Sequence, residues 1–146
     1  MAYFKFTEAI LNGGTIEVFN HGELWRDFTY IDDIVEAVLR LLSCLPTPDP
    51  EWSAKEPDPA RSSAPYRIYN IGNHSPVKVT DFIASLERVI GNKAVLRYVP
   101  MQPGDVVTTC ADTSDLQRDI GFGPSIDLET GLARFVEWYR AYKKIR

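Results

Sequence analysis

The stretch "IEVFNHGELWRDFTYIDDI", residues 16–34, changes its apolar period twice. Ile16 and Val18 point one way with polar neighbours between them, which reads as a short strand ("TIEVF"), and "NHGE" then has the composition of a turn. Beyond it, Ile34, Ala37, Val38, Leu41 and Leu45 recur at helical spacing, with Asp32 or Asp33 as N-cap. A strand that turns and feeds a helix predicts a mixed α/β fold of short strands and helices. A junction of this kind needs only apolar anchors and a short polar cap. Arg26, between Trp25 and Asp27, is surplus to that need, so its partner decides what the junction is for.

Upstream, Ala2, Phe6, Ala9 and Ile10 share one helical face, and Gly13 suits the left-handed residue that closes a helix. No capping residue precedes this helix, so the expectation is that residues ahead of Met1 in a longer protein supply its first turn. Downstream, the proline-rich segment 46–65 reads as an exposed, mobile loop. "YRIYNIG" (66–72) resumes as a strand. Thr80 then caps a helix burying Phe82, Ile83, Leu86, Val89 and Ile90, closed by Gly91. "AVLRYV" (94–99) is another short strand, and Pro103 and Gly104 mark a turn in "MQPGD". A short helix runs from about Ser114 to Ile120 and ends at Gly121. The last, from about Leu128 to Lys144, buries Leu128, Leu132, Phe135, Tyr139 and Tyr142.

The 146 residues, 45% hydrophobic and 25% charged, suit one globular domain with a core of its own. A formal charge of -4, with no basic run before the last residues, argues against a nucleic-acid partner. The two cysteines, Cys44 and Cys110, are too few and too far apart for a disulfide framework or a zinc site. His21 and His74 have no ligand-type residues at metal spacing. No apolar run reaches the length needed to span a bilayer and no signal-peptide pattern opens the chain, so no membrane partner is expected and the chain reads as cytoplasmic.

Two loops are chemically richer than connection requires: the one holding Arg26, and the one holding Gln102 and Asp105. A guanidinium forks two hydrogen bonds onto phosphate oxygens and a carboxylate accepts from paired ribose hydroxyls, so the set matches a nucleoside diphosphate. The same residues also admit a plain reading, in which Arg26 pairs with Asp27 or Asp32 and Asp105 only closes a turn. Phe28 and Tyr30 are expected to anchor the junction in the core, and Asn70 and Gly72 to shape a strand end.

The succession "FTEAI", "IEVFNHGELWRDFTYIDDI", "YRIYNIGNHSPV", "MQPGDVVTTCAD" and "GLARFVEWY" resembles the C-terminal part of NAD-dependent sugar-nucleotide epimerases of the extended short-chain dehydrogenase/reductase class. Within that class it is most similar to the UDP-glucuronate 4-epimerases of bacterial capsule and envelope polysaccharide pathways. The resemblance covers nearly the whole chain. It implies a UDP-sugar partner, UDP-glucuronate or UDP-galacturonate, contacted by Arg26 at the diphosphate and by Asp105 at the ribose. Relatives often carry arginine where this chain has Gln102, which brings no charge. Backbone groups around Val18 and Phe19 correspond to the uracil-binding segment. Lys5, on the flank of the first helix, either reaches the sugar or its diphosphate or is simply solvated.

The resemblance equally implies an N-terminal Rossmann half, with a Gly-rich turn for NAD and a catalytic Tyr-x-x-x-Lys pair, that these 146 residues do not include. Tyr139 and Lys143 have the spacing, but Tyr139 falls on the apolar stripe of the last helix. The expectation is therefore a substrate-binding fragment spanning 1–146, without cofactor or catalytic residues of its own, and inactive alone. Its competitors are an interaction domain that keeps the fold without the ligand, and a dehydratase or decarboxylase sharing the architecture.

Overall fold

The computed structural model describes residues 1–145. Five helices, α1 (Ala2–Asn12), α2 (Ile31–Leu41), α3 (Val79–Ile90), α4 (Ser114–Ile120) and α5 (Leu128–Lys143), alternate with four short strands, β1 (Thr15–Val18), β2 (Trp25–Arg26), β3 (Val77–Lys78) and β4 (Val95–Tyr98). The strands form two separate pairs. β1 and β4 run parallel in the register Thr15↔Val95 to Val18↔Tyr98, and β2 and β3 run antiparallel with Arg26 opposite Val77. This is the mixed α/β class expected.

The core lies where α1, α3 and α5 meet β1. Ile10, Ile16, Val18, Phe82, Ile83, Leu86, Ile90, Leu132 and Val136 are all buried there. Each such side chain contributes about 1.5–3 kcal/mol through burial. Phe28 stacks on Phe82 with ring centroids 4.2 Å apart, joining the Arg26 junction to this core. A smaller cluster of Ala37, Leu116 and Phe122 fixes α2 against α4. Gly13, Gly91 and Gly121 close α1, α3 and α4 in the left-handed conformation, as their positions in the sequence required.

Several local expectations are corrected. Asp32 and Asp33 do not cap α2: the helix begins at Ile31, and both lie inside its first turn. Asp33 is buried and accepts from Ser125 N, Ser125 Oγ and Ile126 N at 3.0, 3.2 and 3.2 Å, tethering the loop before α5. Asp32 instead pairs with Arg134 on α5. Thr80 likewise sits inside α3, whose N-cap is Lys78. Only Ala37 of the apolar set foreseen for α2 is buried, whereas Val38 and Leu45 are exposed, as is Tyr142 on α5.

Residues 66–72 form no regular strand, because their backbone pairing stops at one isolated antiparallel bridge, Arg67 with Arg61; Ile68 N donates to Ala60 O and Tyr66 and Ile68 stay exposed. The 46–65 segment is largely exposed but tied down. Asp49 N donates to Ser62 O, and Arg61 bridges to Asp49, Asp58 and Asp115. Beside it, burial together with the hydrogen bond to Asp119 pushes the Tyr69 hydroxyl up to about 12.

Candidate substrate cleft

Arg26 is placed by backbone pairing on both sides. On one side β2 pairs with β3. On the other, Trp25 N donates to Val107 O at 2.8 Å and Thr109 N donates to Trp25 O at 3.2 Å, which brings the "MQPGDVVTT" loop alongside. The turn feeding β2 uses Asn20 and His21 at φ 48° and 51° and Gly22 at φ 90°. A side chain at Gly22 would meet Thr80 Cγ2 at 2.7 Å, so the turn packs against α3 only as glycine.

The guanidinium reaches back across this junction. Nη1 donates to the carbonyls of Trp25 and Val107 at 2.8 and 3.2 Å, and Nη2 donates to Asp105 Oδ1 at 2.7 Å. Asp105 is shaped by its own turn, with Val106 N donating to its Oδ1 at 2.8 Å and its backbone N donating to Gln102 O at 3.2 Å. The ion pair is partly shielded, with side-chain exposures of 23% for Arg26 and 31% for Asp105. The plain reading of the sequence is thus corrected in detail. Arg26 is paired, but with the distant Asp105, while Asp27 and Asp32 serve other partners.

Arg26 and Asp105 stand in the wall of a cleft of about 370 Å³ whose apolar lining includes Phe6, Phe19, Leu24, Phe28 and Val79. Glu17, Asp27 and Thr109 add polar groups. Of the residues singled out in the sequence, Arg26, Asp105 and Phe19 come together here. Val18 lies directly behind, fully buried, with its carbonyl accepting from Val99 N at 3.0 Å. Gln102 and Lys5 are exposed and do not line the cleft, although the Gln102 carbonyl accepts from Asp105 N. Glu17 and Thr109 were not foreseen. Glu17 is the outward position of β1 and pairs with Arg97 on β4, so strand alternation alone marks it as a surface residue and gives no hint of the cleft.

A second cavity of about 280 Å³ opens on the other side of Phe28, between Tyr30 and α5, and is mostly apolar. The usual seat for a dinucleotide pyrophosphate is a glycine-rich turn between a strand and a helix N-terminus; among the described residues β3 runs straight into α3 at Val79, and β1 leads into the tight turn at Phe19–Gly22. Tyr139 is fully buried in helix packing, with Lys143 Nζ 5.9 Å from its ring centroid. Among the described residues no helix is long and apolar enough to cross a membrane.

The fold of this α/β unit is shared with solved sugar-nucleotide epimerases. A UDP-glucose 4-epimerase from Thermotoga maritima, solved with UDP-glucose, superposes with a TM-score of 0.75 at 27% identity, over 98% of this chain and 40% of its own. Residues 1–72 match the model of the NAD dependent epimerase/dehydratase family. Protein CapI of Staphylococcus aureus is 50% identical over 144 residues, 99% of this chain and 43% of its own length. UDP-glucuronate 4-epimerase 2 of Arabidopsis thaliana is 45% identical over 148 residues, 99% of this chain and 33% of its own. The chain belongs to the NAD dependent epimerase/dehydratase family and spans less than half the length of these relatives.

Proposed function

We propose that this chain is the sugar-nucleotide-holding portion of a cytoplasmic, NAD-dependent UDP-sugar 4-epimerase that interconverts UDP-glucuronate and UDP-galacturonate for polysaccharide precursors. The observation that carries the reading is the Arg26–Asp105 pair in the wall of an aromatic-lined cleft. The guanidinium would fork onto the diphosphate and the carboxylate would accept from the ribose hydroxyls, with Phe19 bounding the base end. The similarity to UDP-glucuronate 4-epimerase 2 supports the choice of sugar.

NAD, which in this reading takes hydride from the sugar and returns it, does not fit these residues for the reason given by the strand-to-helix junctions. It is assigned to a further, cofactor-binding portion of a longer protein, and the chain alone is expected to catalyse nothing. The exposed apolar positions Ile31, Val35, Leu39 and Leu42, one side of α2, offer that portion a face to cover.

Calorimetric titration of the chain with UDP, UDP-glucuronate and NAD tests this. Saturable UDP and UDP-glucuronate binding that weakens with salt, and no NAD binding, is the expected result. Absence of UDP binding would favour an interaction domain that keeps the fold without the ligand. The self-satisfied ion pair is the feature on which that second reading rests.

A further inference from the structure

Asp27 follows Arg26 in the chain but turns to different work. Its Oδ2 accepts from Ala111 N at 3.0 Å and from His74 N at 3.1 Å, its Oδ1 accepts from Ser75 N at 3.4 Å, and its own backbone N donates to Thr109 Oγ1 at 3.3 Å. One carboxylate therefore joins two segments that no regular sheet connects: the 72–75 turn leading into β3, and the far end of the loop that carries Asp105. The junction has no slack. A Cβ at Gly72 would lie 2.3 Å from Ala111 Cβ and 3.0 Å from Asp27 Oδ2. His74 holds the left-handed conformation at φ 54°, which a non-glycine residue adopts at a cost unless its surroundings enforce it.

Arg26 fastens the near end of the same loop, through Val107 O and Asp105. Asp27 fastens the far end at Ala111. Neighbouring side chains on one short segment thus grip residues 105–111 at two points. With the carboxylate removed, the loop would keep the Trp25 backbone bonds, Arg26, the Asp27 N–Thr109 Oγ1 bond and the contact of His74 Nδ1 with Ala111 O, but would lose the three bonds that anchor Ala111 and the 72–75 turn to one group.

We propose that Asp27 is a positioning residue of the cleft: its carboxylate, by accepting from the amides of Ala111 and His74, sets where the 105–111 segment lies and so holds Asp105 against Arg26. Its consequence for ligand affinity rests on the proposed sugar-nucleotide function; its consequence for the loop does not. Although Asp27 borders the cleft, the role proposed for it requires no contact with the ligand. Its effect passes through Asp105, so the carboxylate's acceptor geometry matters and its charge does not. Asparagine can put its carbonyl oxygen where Oδ2 lies and keep the bonds from Ala111 and His74, giving up only the long one from Ser75 N at 3.4 Å, whereas alanine keeps none.

The test compares wild type, Asp27→Asn and Asp27→Ala by amide hydrogen exchange, thermal unfolding and UDP titration. In Asp27→Ala, exchange at Ala111 and at Thr109, whose amide donates to Trp25 O, should accelerate about tenfold or more while the α3 and α5 core amides keep their protection, and UDP affinity should fall about tenfold. Asp27→Asn should stay close to wild type in both. Unchanged exchange at Thr109 in Asp27→Ala overturns the proposal, as does an asparagine variant as impaired as alanine. An alanine variant that fails to fold also overturns it, since Asp27 would then hold the whole domain. If wild type binds no UDP, the functional reading fails, and the exchange data alone decide the role of Asp27.

Discussion

Arg26 and Asp105, 79 residues apart in the chain, meet at 2.7 Å between Nη2 and Oδ1 in the cleft wall. A pair so placed neutralises itself while the cleft is empty of anions. A diphosphate arriving there competes with a carboxylate already in position, and a guanidinium suits that exchange because its fork has more N–H donors than Asp105 and the Val107 and Trp25 carbonyls take up. Asp105 could then turn to hydroxyl donors without leaving Arg26 unpaired.

The first prediction concerns Arg26. In the longer protein, Arg26→Ala is expected to weaken UDP-sugar binding roughly tenfold to hundredfold, the worth of one charge-assisted interaction of about 1.5–3 kcal/mol. It should also lower stability by about 1–2 kcal/mol, because the guanidinium holds two main-chain carbonyls besides Asp105. Arg26→Lys should recover only part of the binding. Calorimetry and thermal unfolding measured side by side decide it: a variant that unfolds early yet binds normally would show Arg26 to be purely structural.

Asp105→Asn should behave differently. The amide oxygen can still accept from Arg26 and from Val106 N, but the charge that orders ribose hydroxyls is gone. UDP-sugar affinity should fall, while inhibition by inorganic pyrophosphate, which has no ribose, stays nearly unchanged. Equal losses for both ligands would show that Asp105 acts through Arg26 alone.

How far the sequence carried this site depends on how local each signal was. The β1 alternation, the glycine-closed helices and the apolar stripes of α3 and α5 were legible because each is written within a few neighbouring residues. The roles of Asp27, Asp32 and Asp33 were not. Each finds its partner far along the chain, Ala111, Arg134 and Ser125 respectively, and a carboxylate near a helix start looks the same whether it caps that helix or reaches another loop. The strand expected at 66–72 failed for a related reason. Its sequence has strand composition, but a strand exists only where another backbone pairs with it.

Gly72 carries a prediction about packing. Gly72→Ala should destabilise by about 1–3 kcal/mol, since the new methyl group meets Ala111 Cβ at 2.3 Å and something must shift. The double variant with Ala111→Gly, which removes the opposing methyl, should recover much of that loss. Chemical denaturation of the single and double variants measures it; additive losses would place the strain elsewhere.

Glu87 links stability to pH. Its carboxylate accepts from Lys93 Nζ at 2.7 Å and from Ala94 N at 2.8 Å, joining the end of α3 to the approach of β4, and these bonds hold its pKa below the ordinary 4.5. A depressed folded-state pKa means that the stabilisation is fully present above about pH 4.5 and is lost as pH falls through the folded value. Glu87→Gln should therefore cost about 1 kcal/mol at neutral pH and progressively less below pH 4.5. A difference from wild type that stays constant down to pH 2.5 in denaturation experiments would refute the assignment.

The final prediction concerns α2, which presents apolar side chains on more than the face it buries. Leu39 and Leu42 are 56% and 71% exposed, while the opposite side rests on Leu116 and Phe122 through Ala37. Exposed leucines singly are ordinary, but a row at positions 31, 35, 39 and 42 along one helix is a surface that water contacts unfavourably. If a cofactor-binding portion covers this face in the longer protein, the 146-residue chain alone should bind a hydrophobic dye and self-associate as concentration rises. Leu39→Glu with Leu42→Glu should abolish both effects, with little loss of stability, since neither side chain is in the core. In the longer protein the same pair should instead destabilise, because two carboxylates would then be buried unpaired against the partner surface. Sedimentation and dye fluorescence on the chain, and thermal unfolding of the longer protein, test the two halves separately. A wild-type chain that stays monomeric and binds no dye, together with a longer protein indifferent to the glutamates, would show that nothing docks on α2.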